Sequence, residues 1–305
     1  MKDHCRGKMI MTTNTTPSID LNQHDDQRHA FLDSIDTLIF DCDGVLWLDH
    51  HVIPGACEAL AKFRSMGKKI KFVTNNSTMT RHQFLVKIQS FGIECSIDEI
   101  YGSAYGTALY LKSIQFNKKI FMIGEAGLEN ELRDAGYSPI KFNTDHTVSG
   151  ISNAQNIEIE RDIGAVIVGM DTSLTYSKCV YAHKAITQIP GCMFIATNTD
   201  HSYPVRDGTL PGAGSIVTMI QSSTSKAPII VGKPETLLMD VIIKNEGLDR
   251  SRTLMVGDRL NTDILFGINS GTKTLLVLTG ISNKQSIIEE NIIPHFILNT
   301  IADLI

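Results

Sequence analysis

The chain contains a series of short apolar runs rich in isoleucine, valine and leucine, with helix-like segments between them. Runs of this length and composition are typical of parallel strands that are buried on both faces of a sheet. Strands that alternate with helices predict an α/β fold with a doubly wound parallel sheet. The runs are residues 35–40, 68–73, 118–124, 165–171, 192–198, 227–231, 253–256 and 274–278.

The spacing of these runs predicts how the chain is organised. Residues 1–33 are polar and without periodicity, which indicates a mobile tail. Several runs fall in the long gap between Asn76 and Lys233, where a second α/β unit can be inserted. We therefore expect a discontinuous core of residues 34–111 and 227–305, with an inserted α/β cap domain at 112–226.

Polar residues follow several of the predicted strands directly. In a doubly wound sheet, ligands bind beyond the carboxyl ends of the strands, so these residues mark a candidate site. The clusters are Asp41 with Asp43, Thr74 with Asn75 and Asn76, Gly232 with Lys233, and Gly257 with Asp258.

The residue types in these clusters favour phosphoryl chemistry. Carboxylates from Asp41 and Asp258, completed by a backbone carbonyl and waters, are the ligands that Mg²⁺ prefers. A lysine with hydroxyl and amide donors suits the oxygens of a phosphoryl group. One carboxylate can attack phosphorus, and a second carboxyl two residues on can protonate the leaving alkoxide.

Four motifs in order resemble those of the haloacid dehalogenase superfamily of phosphatases. They are DCDGVLW (41–47), TNNSTMTR (74–81), GKP (232–234) and GDRLNTD (257–263). From Ser34 onward the chain looks like the capped branch that contains phosphoglycolate (glycerol-3-phosphate), pyridoxal phosphate and 4-nitrophenyl phosphatases. Residues 103–111 and 212–220 are also similar to that branch. The branch carries a large α/β cap of the C2 type in its haloacid dehalogenase core.

The resemblance implies a role for each matching residue. Asp41 is expected to be the nucleophile and Asp43 the general acid and base. Thr74, Asn75, Asn76 and Lys233 are expected to bind the phosphate. Asp41, Asp258 and the main-chain carbonyl of Asp43 are expected to bind Mg²⁺, and Asp263 to support the metal site.

The expected function is Mg²⁺-dependent hydrolysis of a small phosphomonoester through an aspartyl-phosphate. The resemblance favours phosphoglycolate or glycerol-3-phosphate, with activity on 4-nitrophenyl phosphate. Pyridoxal phosphate is an alternative substrate, and a regulatory binding protein that keeps the fold is an alternative outside enzymes. A dehalogenase has no leaving alkoxide for the second aspartate to protonate. A phosphotransferase, which needs a second acceptor site, stays open.

Two further features allow two interpretations each. Trp47 either belongs to a flap over the site or holds a turn. Asn198, Asp200 and Tyr203 lie in the loop 197–204, which either faces the substrate or is polar only because it is a loop.

Composition limits the partners and the compartment. The net charge is −5 without a basic block, so nucleic acid is not an expected partner. No apolar run reaches the roughly 18 residues of a membrane span. Six cysteines lack C-x-x-C spacing, which favours a reducing compartment and the cytoplasm. The resemblance also implies a homodimer formed through the cap.

Overall fold

The computed structural model describes residues 17–23, 25–140, 142, 151–205 and 208–305. The chain divides into two compact units. The first unit contains the residues up to Lys69 and those from Asp249 to Ile305, and the second runs from Ile70 to Leu248. These bounds differ from the expected cap at 112–226, which stays a prediction.

Strands and helices alternate along most of the described part of the chain. In order, the strands are β1 (Ile19–Asp20), β2 (Thr37–Phe40), β3 (Trp47–Leu48), β4 (His51–Val52), β5 (Lys69–Thr74), β6 (Ile100–Gly102), β7 (Lys119–Ile123), β8 (Ile163–Val168), β9 (Met193–Ala196), β10 (Ser202–Val205), β11 (Gly208–Pro211), β12 (Ile229–Ile230), β13 (Thr253–Gly257), β14 (Lys273–Val277) and β15 (Phe296–Leu298). The α-helices are α1 (Asp25–Asp33), α2 (Ala56–Ser65), α3 (Arg81–Ser90), α4 (Ser103–Ser113), α5 (Ala126–Asp134), α6 (Ile151–Ala154), α7 (Tyr176–Gln188), α8 (Ala213–Thr224), α9 (Leu237–Glu246), α10 (Leu265–Asn269) and α11 (Lys284–Glu290).

In the first unit, five parallel strands lie in the order β1-β15-β14-β13-β2. Every residue of β2 and β13 is buried, as their apolar composition predicts. Val256 of β13 pairs with Phe40 of β2, so these two strands end side by side. The residues that follow them, Asp41 and Asp258, therefore emerge at the same edge of the sheet.

The amino-terminal segment differs from the tail that we expected over residues 1–33. Ile19 pairs in parallel with Phe296 of β15, and Asp25–Asp33 form α1. Phe31 is buried, and its ring centroid lies 4.1 Å from that of Phe296. A few apolar side chains are thus enough to hold residues 17–23 and 25–33 against β15, although the segment is mostly polar. Residues 1–16 lie outside the described part.

The second unit contains a four-stranded parallel sheet in the order β12-β9-β8-β7. Successive side chains of a strand point to opposite faces, so each face of the sheet carries its own core. Phe121, Val166 and Phe194 pack in one core cluster, which includes residues of α7 and α8. Neighbouring residues of the same strands, such as Ile120 and Ile167, pack in the other with residues of α4 and α5. Because both faces of the sheet are buried, these strands are apolar at successive positions and do not alternate between apolar and polar residues.

The run at 227–231 joins a different sheet from the one that we expected. Ile229 and Ile230 pair with Ile195 and Ala196 of β9, in the sheet of the second unit. An apolar run indicates a parallel strand but carries no information about which sheet it joins. The α/β class with parallel sheets is confirmed. In the part of the chain that is described, no helix has the length and hydropathy of a membrane span.

Gly127 gives a test of the packing in the second unit. A Cβ at this position would lie 2.3 Å from the main-chain carbon and oxygen of Thr78. Because backbone atoms cannot swing aside, Gly127→Ala should lower the free energy of unfolding by about 3 kcal/mol, the upper range for overpacking. Urea denaturation measures the change. Asn130→Ala, at an exposed position of the same helix, should stay within about 0.5 kcal/mol. Equal losses in the two variants would contradict this packing.

Candidate active site

The turn after β2 contains the two aspartates of the first motif. The main-chain N–H of Asp41 donates to the carbonyl of Val256 at 2.9 Å, which extends the pairing of β2 with β13 by one residue. Asp41 is half-buried, Asp43 is exposed, and Cys42 between them points into the core. The alternation of a strand thus continues as far as Asp43, and it keeps both carboxyl groups out of the core.

Gly44 meets two requirements at this turn. Its φ of 85° lies in the left-handed region, which glycine adopts without steric cost. A Cβ here would also lie 2.4 Å from Oδ2 of Asp258. Only glycine allows the Asp258 carboxylate to approach the turn so closely.

Three carboxylates meet beside this turn. Asp41, Asp258 and Asp263 each offer an oxygen, and these oxygens lie within 4.8 Å of one another. Asp258 and Asp263 are only 4 % and 2 % exposed. Carboxylates this close repel one another unless a cation lies among them, and a set of oxygen donors suits Mg²⁺. The donor set therefore fits the metal that the sequence predicts, and it includes Asp263.

Main-chain donors hold two of these carboxylates. The N–H of Ile281 donates to Oδ2 of Asp258 at 2.8 Å, and the N–H of Arg259 donates to Oδ2 of Asp263 at 3.1 Å. Asp263 lies in a π-helical turn, Leu260–Ile264, which directs its side chain inward. Asp263 is thus a buried residue of this group and not a surface charge.

Sequence reasoning gave no role to the segment after β14. There the hydroxyl of Thr279 donates to the carbonyl of Gly44 at 2.6 Å. A Cβ at Gly280 would lie 1.9 Å from Oδ2 of Asp258. The signal was present, because Thr279 and Gly280 directly follow the apolar run 274–278, as the predicted site residues follow theirs.

Trp47 contacts the second aspartate. Its indole Nε1–H donates to Oδ1 of Asp43 at 2.7 Å, and the ring is completely buried. Trp47 begins a short antiparallel hairpin of β3 and β4, and its carbonyl accepts from the N–H of Gly44 at 2.7 Å. Trp47 thus both holds the turn and fixes one oxygen of Asp43.

In the second unit, the loop after β5 folds on itself. The Thr74 hydroxyl oxygen accepts from the main-chain N–H of Asn76 at 3.1 Å. The side-chain oxygen of Asn76 accepts from the N–H and the hydroxyl of Thr78 at 2.8 and 2.9 Å. Thr74 is buried, whereas Asn76 is exposed. These bonds give the predicted phosphate-binding loop a fixed conformation.

Asn75 is joined to Lys233 in the same unit. Its Nδ2 donates to the carbonyl of Lys233 at 3.0 Å, and its Oδ1 accepts from the N–H of Lys233 at 2.8 Å. The Nδ2 group also lies 3.1 and 3.2 Å from the carboxylate oxygens of Asp200. The Lys233 side chain is buried, with Nζ 3.5 Å from the carbonyl of Val73. The structure thus brings together residues that are far apart in sequence.

The loop 197–204 supports this arrangement. Asn198 is 4 % exposed, and its Nδ2 donates to the carbonyl of Asn75 at 2.7 Å. Its side-chain oxygen accepts from the N–H of Asp200 at 3.1 Å. Tyr203 lies in the hairpin of β10 and β11 and is exposed. Asn198 and Asp200 therefore have structural contacts, which loop polarity alone did not predict.

Comparison with known proteins places the chain in a family. Residues 38–138 match the model described as haloacid dehalogenase-like hydrolase, and residues 230–304 match one described as HAD-hydrolase-like. Phosphoglycolate phosphatase 2 of Arabidopsis thaliana is 40 % identical over 283 residues, which cover 90 % of this chain and 94 % of that protein. Glycerol-3-phosphate phosphatase of Homo sapiens is 35 % identical over 92 % of this chain and 93 % of its own length.

A solved structure agrees with these relatives. The p-nitrophenyl phosphatase from Archaeoglobus fulgidus matches with a TM-score of 0.77 and 32 % identity, over 88 % of this chain and 98 % of that one. The chain therefore belongs to the haloacid dehalogenase-like hydrolase family, among its phosphatases.

Proposed function

We propose that this phosphatase hydrolyses small phosphomonoesters in a Mg²⁺-dependent reaction that passes through a phosphorylated Asp41. The observation that carries the proposal is the group of Asp41, Asp258 and Asp263 within 4.8 Å, with Asp43 two residues beyond the first of them. A regulatory protein without turnover would have no need of this complete set.

Asp41 and Asp258 would hold Mg²⁺, together with the main-chain carbonyl of Asp43, and Asp263 would support them. When bound, the ion supplies positive charge that neutralises the phosphoryl oxygens. The main-chain N–H donors to Asp258 and Asp263 keep these carboxylates oriented. A ligand set that is oriented in advance loses less conformational entropy when it binds the ion.

Asp41 and Asp43 would divide the chemistry between them. An oxygen of Asp41 attacks phosphorus, and the bond from phosphorus to the leaving oxygen breaks as Asp43 donates its proton to that oxygen. Water then attacks the phosphorus of the aspartyl-phosphate, Asp43 takes a proton from it, and inorganic phosphate leaves with the Asp41 carboxylate restored. Because Trp47 donates to Oδ1 of Asp43, the Oδ2 atom is the one that carries the proton.

Thr74, Asn76 and Lys233 are the proposed ligands of the phosphoryl oxygens, on the resemblance of their motifs. A hydroxyl, an amide and an ammonium group are donors of the kind that stabilise this charge. The motif also assigns Asn75 to the phosphate. Its side-chain amide already contacts Asp200 and Lys233, so this role falls to its main-chain N–H.

Phosphoglycolate is the proposed substrate, because phosphoglycolate phosphatase 2 of Arabidopsis thaliana is 40 % identical over most of both chains. Glycerol-3-phosphate is the second candidate, favoured by the human relative. Both are small alkyl phosphates with a poor leaving group, which need a proton donor such as Asp43. Relative turnover of these two, pyridoxal phosphate and 4-nitrophenyl phosphate tests the assignment.

A cytoplasmic location and a homodimer through residues 112–226 complete the proposal. Within the described ranges, no disulfide joins the cysteines, as expected in a reducing compartment; these are Cys42, Cys57, Cys95, Cys179 and Cys192. The dimer rests on the resemblance to the capped branch.

Replacing the nucleophile tests the intermediate. Asp41→Asn removes the attacking oxygen with little change in size, so turnover should fall at least about a hundredfold. Acid-quenched wild-type protein should retain labelled phosphate, and the variant should retain none. Asp134→Asn, an exposed control, should behave as wild type. Labelled phosphate on the Asp41→Asn protein would show that another residue is the nucleophile.

The acid role of Asp43 predicts a dependence on the leaving group. Asp43→Asn should slow hydrolysis of an alkyl phosphate more than that of 4-nitrophenyl phosphate, whose leaving oxygen needs little protonation. Trp47→Phe keeps an aromatic ring but loses the N–H. It should change the alkyl-to-aryl rate ratio in the same direction, by roughly tenfold or less.

The control for Trp47→Phe is Phe63→Leu, another change at a completely buried aromatic residue of the first unit. It should reduce stability without changing the rate ratio. Equal losses on both substrates in Asp43→Asn would rule out proton transfer by this residue.

Metal binding should depend on Asp258. Asp258→Ala removes a charged ligand from an ion that tolerates few geometries, so the Mg²⁺ concentration for half-maximal activity should rise by at least about tenfold. Calorimetric titration with Mg²⁺ measures binding directly, and Glu290→Ala at an exposed position is the control. Ca²⁺, which prefers longer bonds and more ligands, should not support turnover. An unchanged titration would place the metal elsewhere.

A further inference from the structure

We infer that the side chain of Asn75 is a positioning residue, which fixes the backbone of Lys233 and ties it to the start of the β10–β11 hairpin. The inference rests on the proposed role of Lys233 in binding phosphate. It excludes the Asn75 side chain as a phosphate ligand and leaves the main-chain N–H in that role.

The hydrogen-bonding capacity of the Asn75 amide is the first support. An asparagine side chain has two N–H donors and one carbonyl oxygen. The nitrogen contacts the Asp200 carboxylate and the Lys233 carbonyl, and the oxygen accepts from the Lys233 N–H at 2.8 Å. Both donors have protein acceptors, so the amide has no hydrogen left for a phosphate oxygen.

The residues around Asn75 hold it in contact with Lys233. A Cβ at Gly232 would lie 2.5 Å from Oδ1 of Asn75, so a larger residue there would push the amide away. On its other side, the carbonyl of Asn75 accepts from the Ser103 hydroxyl and from Nδ2 of Asn198, each at 2.7 Å. Buried polar groups with satisfied partners make a rigid support.

Lys233 benefits from this support because its side chain is long and flexible. Ordering a lysine side chain costs about 1.5–2 kcal/mol of conformational entropy. Lys233 is only 3 % exposed, so its side chain lies in a confined space. A shift of its backbone would displace the ammonium group, so accurate placement of that group needs a fixed backbone. Asn75 bonds both main-chain polar groups of Lys233, which fixes the position from which the side chain extends.

Asp200 extends the connection to the hairpin. This residue lies two positions before β10, and its carbonyl accepts from the N–H of Gly214 at 2.9 Å. A Cβ at Gly212 would lie 2.2 Å from the same carbonyl oxygen. A change at Asp200 should therefore reach Lys233 through Asn75, although no motif assigns Asp200 to the phosphate.

A double-mutant cycle separates positioning from direct binding. We would measure kcat/KM for 4-nitrophenyl phosphate with Mg²⁺, and the inhibition constant of inorganic phosphate, in wild type, Asn75→Ala, Lys233→Met and the double variant. If Asn75 acts through Lys233, the double variant should lie within about threefold of Lys233→Met alone. If the Asn75 side chain binds phosphate independently, the two losses should multiply, and the inference is overturned.

If Asn75→Ala does not fold, two variants of Asp200 provide the test instead. Asp200→Asn keeps a side-chain carbonyl as acceptor for Asn75 and should retain activity, whereas Asp200→Ala should weaken inhibition by phosphate at least about fivefold. Thermal unfolding is followed in each variant, with Asn130→Ala as the exposed control. Loss of stability in Asp200→Ala without any change in phosphate inhibition would show a merely structural role.

The outcomes also separate this inference from the proposed function. Full activity in Lys233→Met would remove Lys233 from the mechanism, and the positioning role with it. Multiplied losses in the double variant would overturn the positioning role alone and leave the phosphatase mechanism in place.

Discussion

Mutual repulsion among three carboxylates is the constraint on which the rest of the first unit depends. Oxygens of Asp41, Asp258 and Asp263 lie within 4.8 Å of one another. Two unit charges at such a distance repel by roughly 3–4 kcal/mol at an effective dielectric constant of about 20. With three pairs, this exceeds half of the total stability of many domains, roughly 5–15 kcal/mol. The arrangement is therefore stable only with a cation or a proton among the carboxylates, and it favours the binding of a divalent ion.

The backbone around this group is shaped by the space that the carboxylates need. At Gly44, Gly257 and Gly280, a Cβ would lie between 1.9 and 2.4 Å from an atom of Asp258 or Asp263. Each of these glycines ends a strand or lies shortly after one. Three separate chain segments therefore lack a side chain at the place where the carboxylates lie. These three glycines are thus as necessary to the geometry as the aspartates, and for a steric reason.

Much of this organisation is predictable from the sequence, because buried strands and the residues after them obey simple rules. The runs at 35–40 and 253–256 become the paired strands β2 and β13, and the aspartates that follow them meet. The sheet that 227–231 joins was not predictable, because pairing between distant segments depends on the whole fold. The bond from Trp47 to Asp43 and the contacts of Asn75 were missed as well, since residue type alone does not identify a hydrogen-bond partner.

The pairing of β1 with β15 has a consequence for how copies of this protein behave in solution. The outermost strand of a sheet presents unpaired N–H and carbonyl groups, which can recruit a strand of another molecule. β1 occupies that position beside β15 with only two residues, one of which, Asp20, forms an ion pair with Lys284 at 2.6 Å. A short charged strand is a poor template for further strands. Within the first unit, β1 thus protects an open edge from aggregation, at the opposite end of the strand order from β2 and the aspartates that follow it.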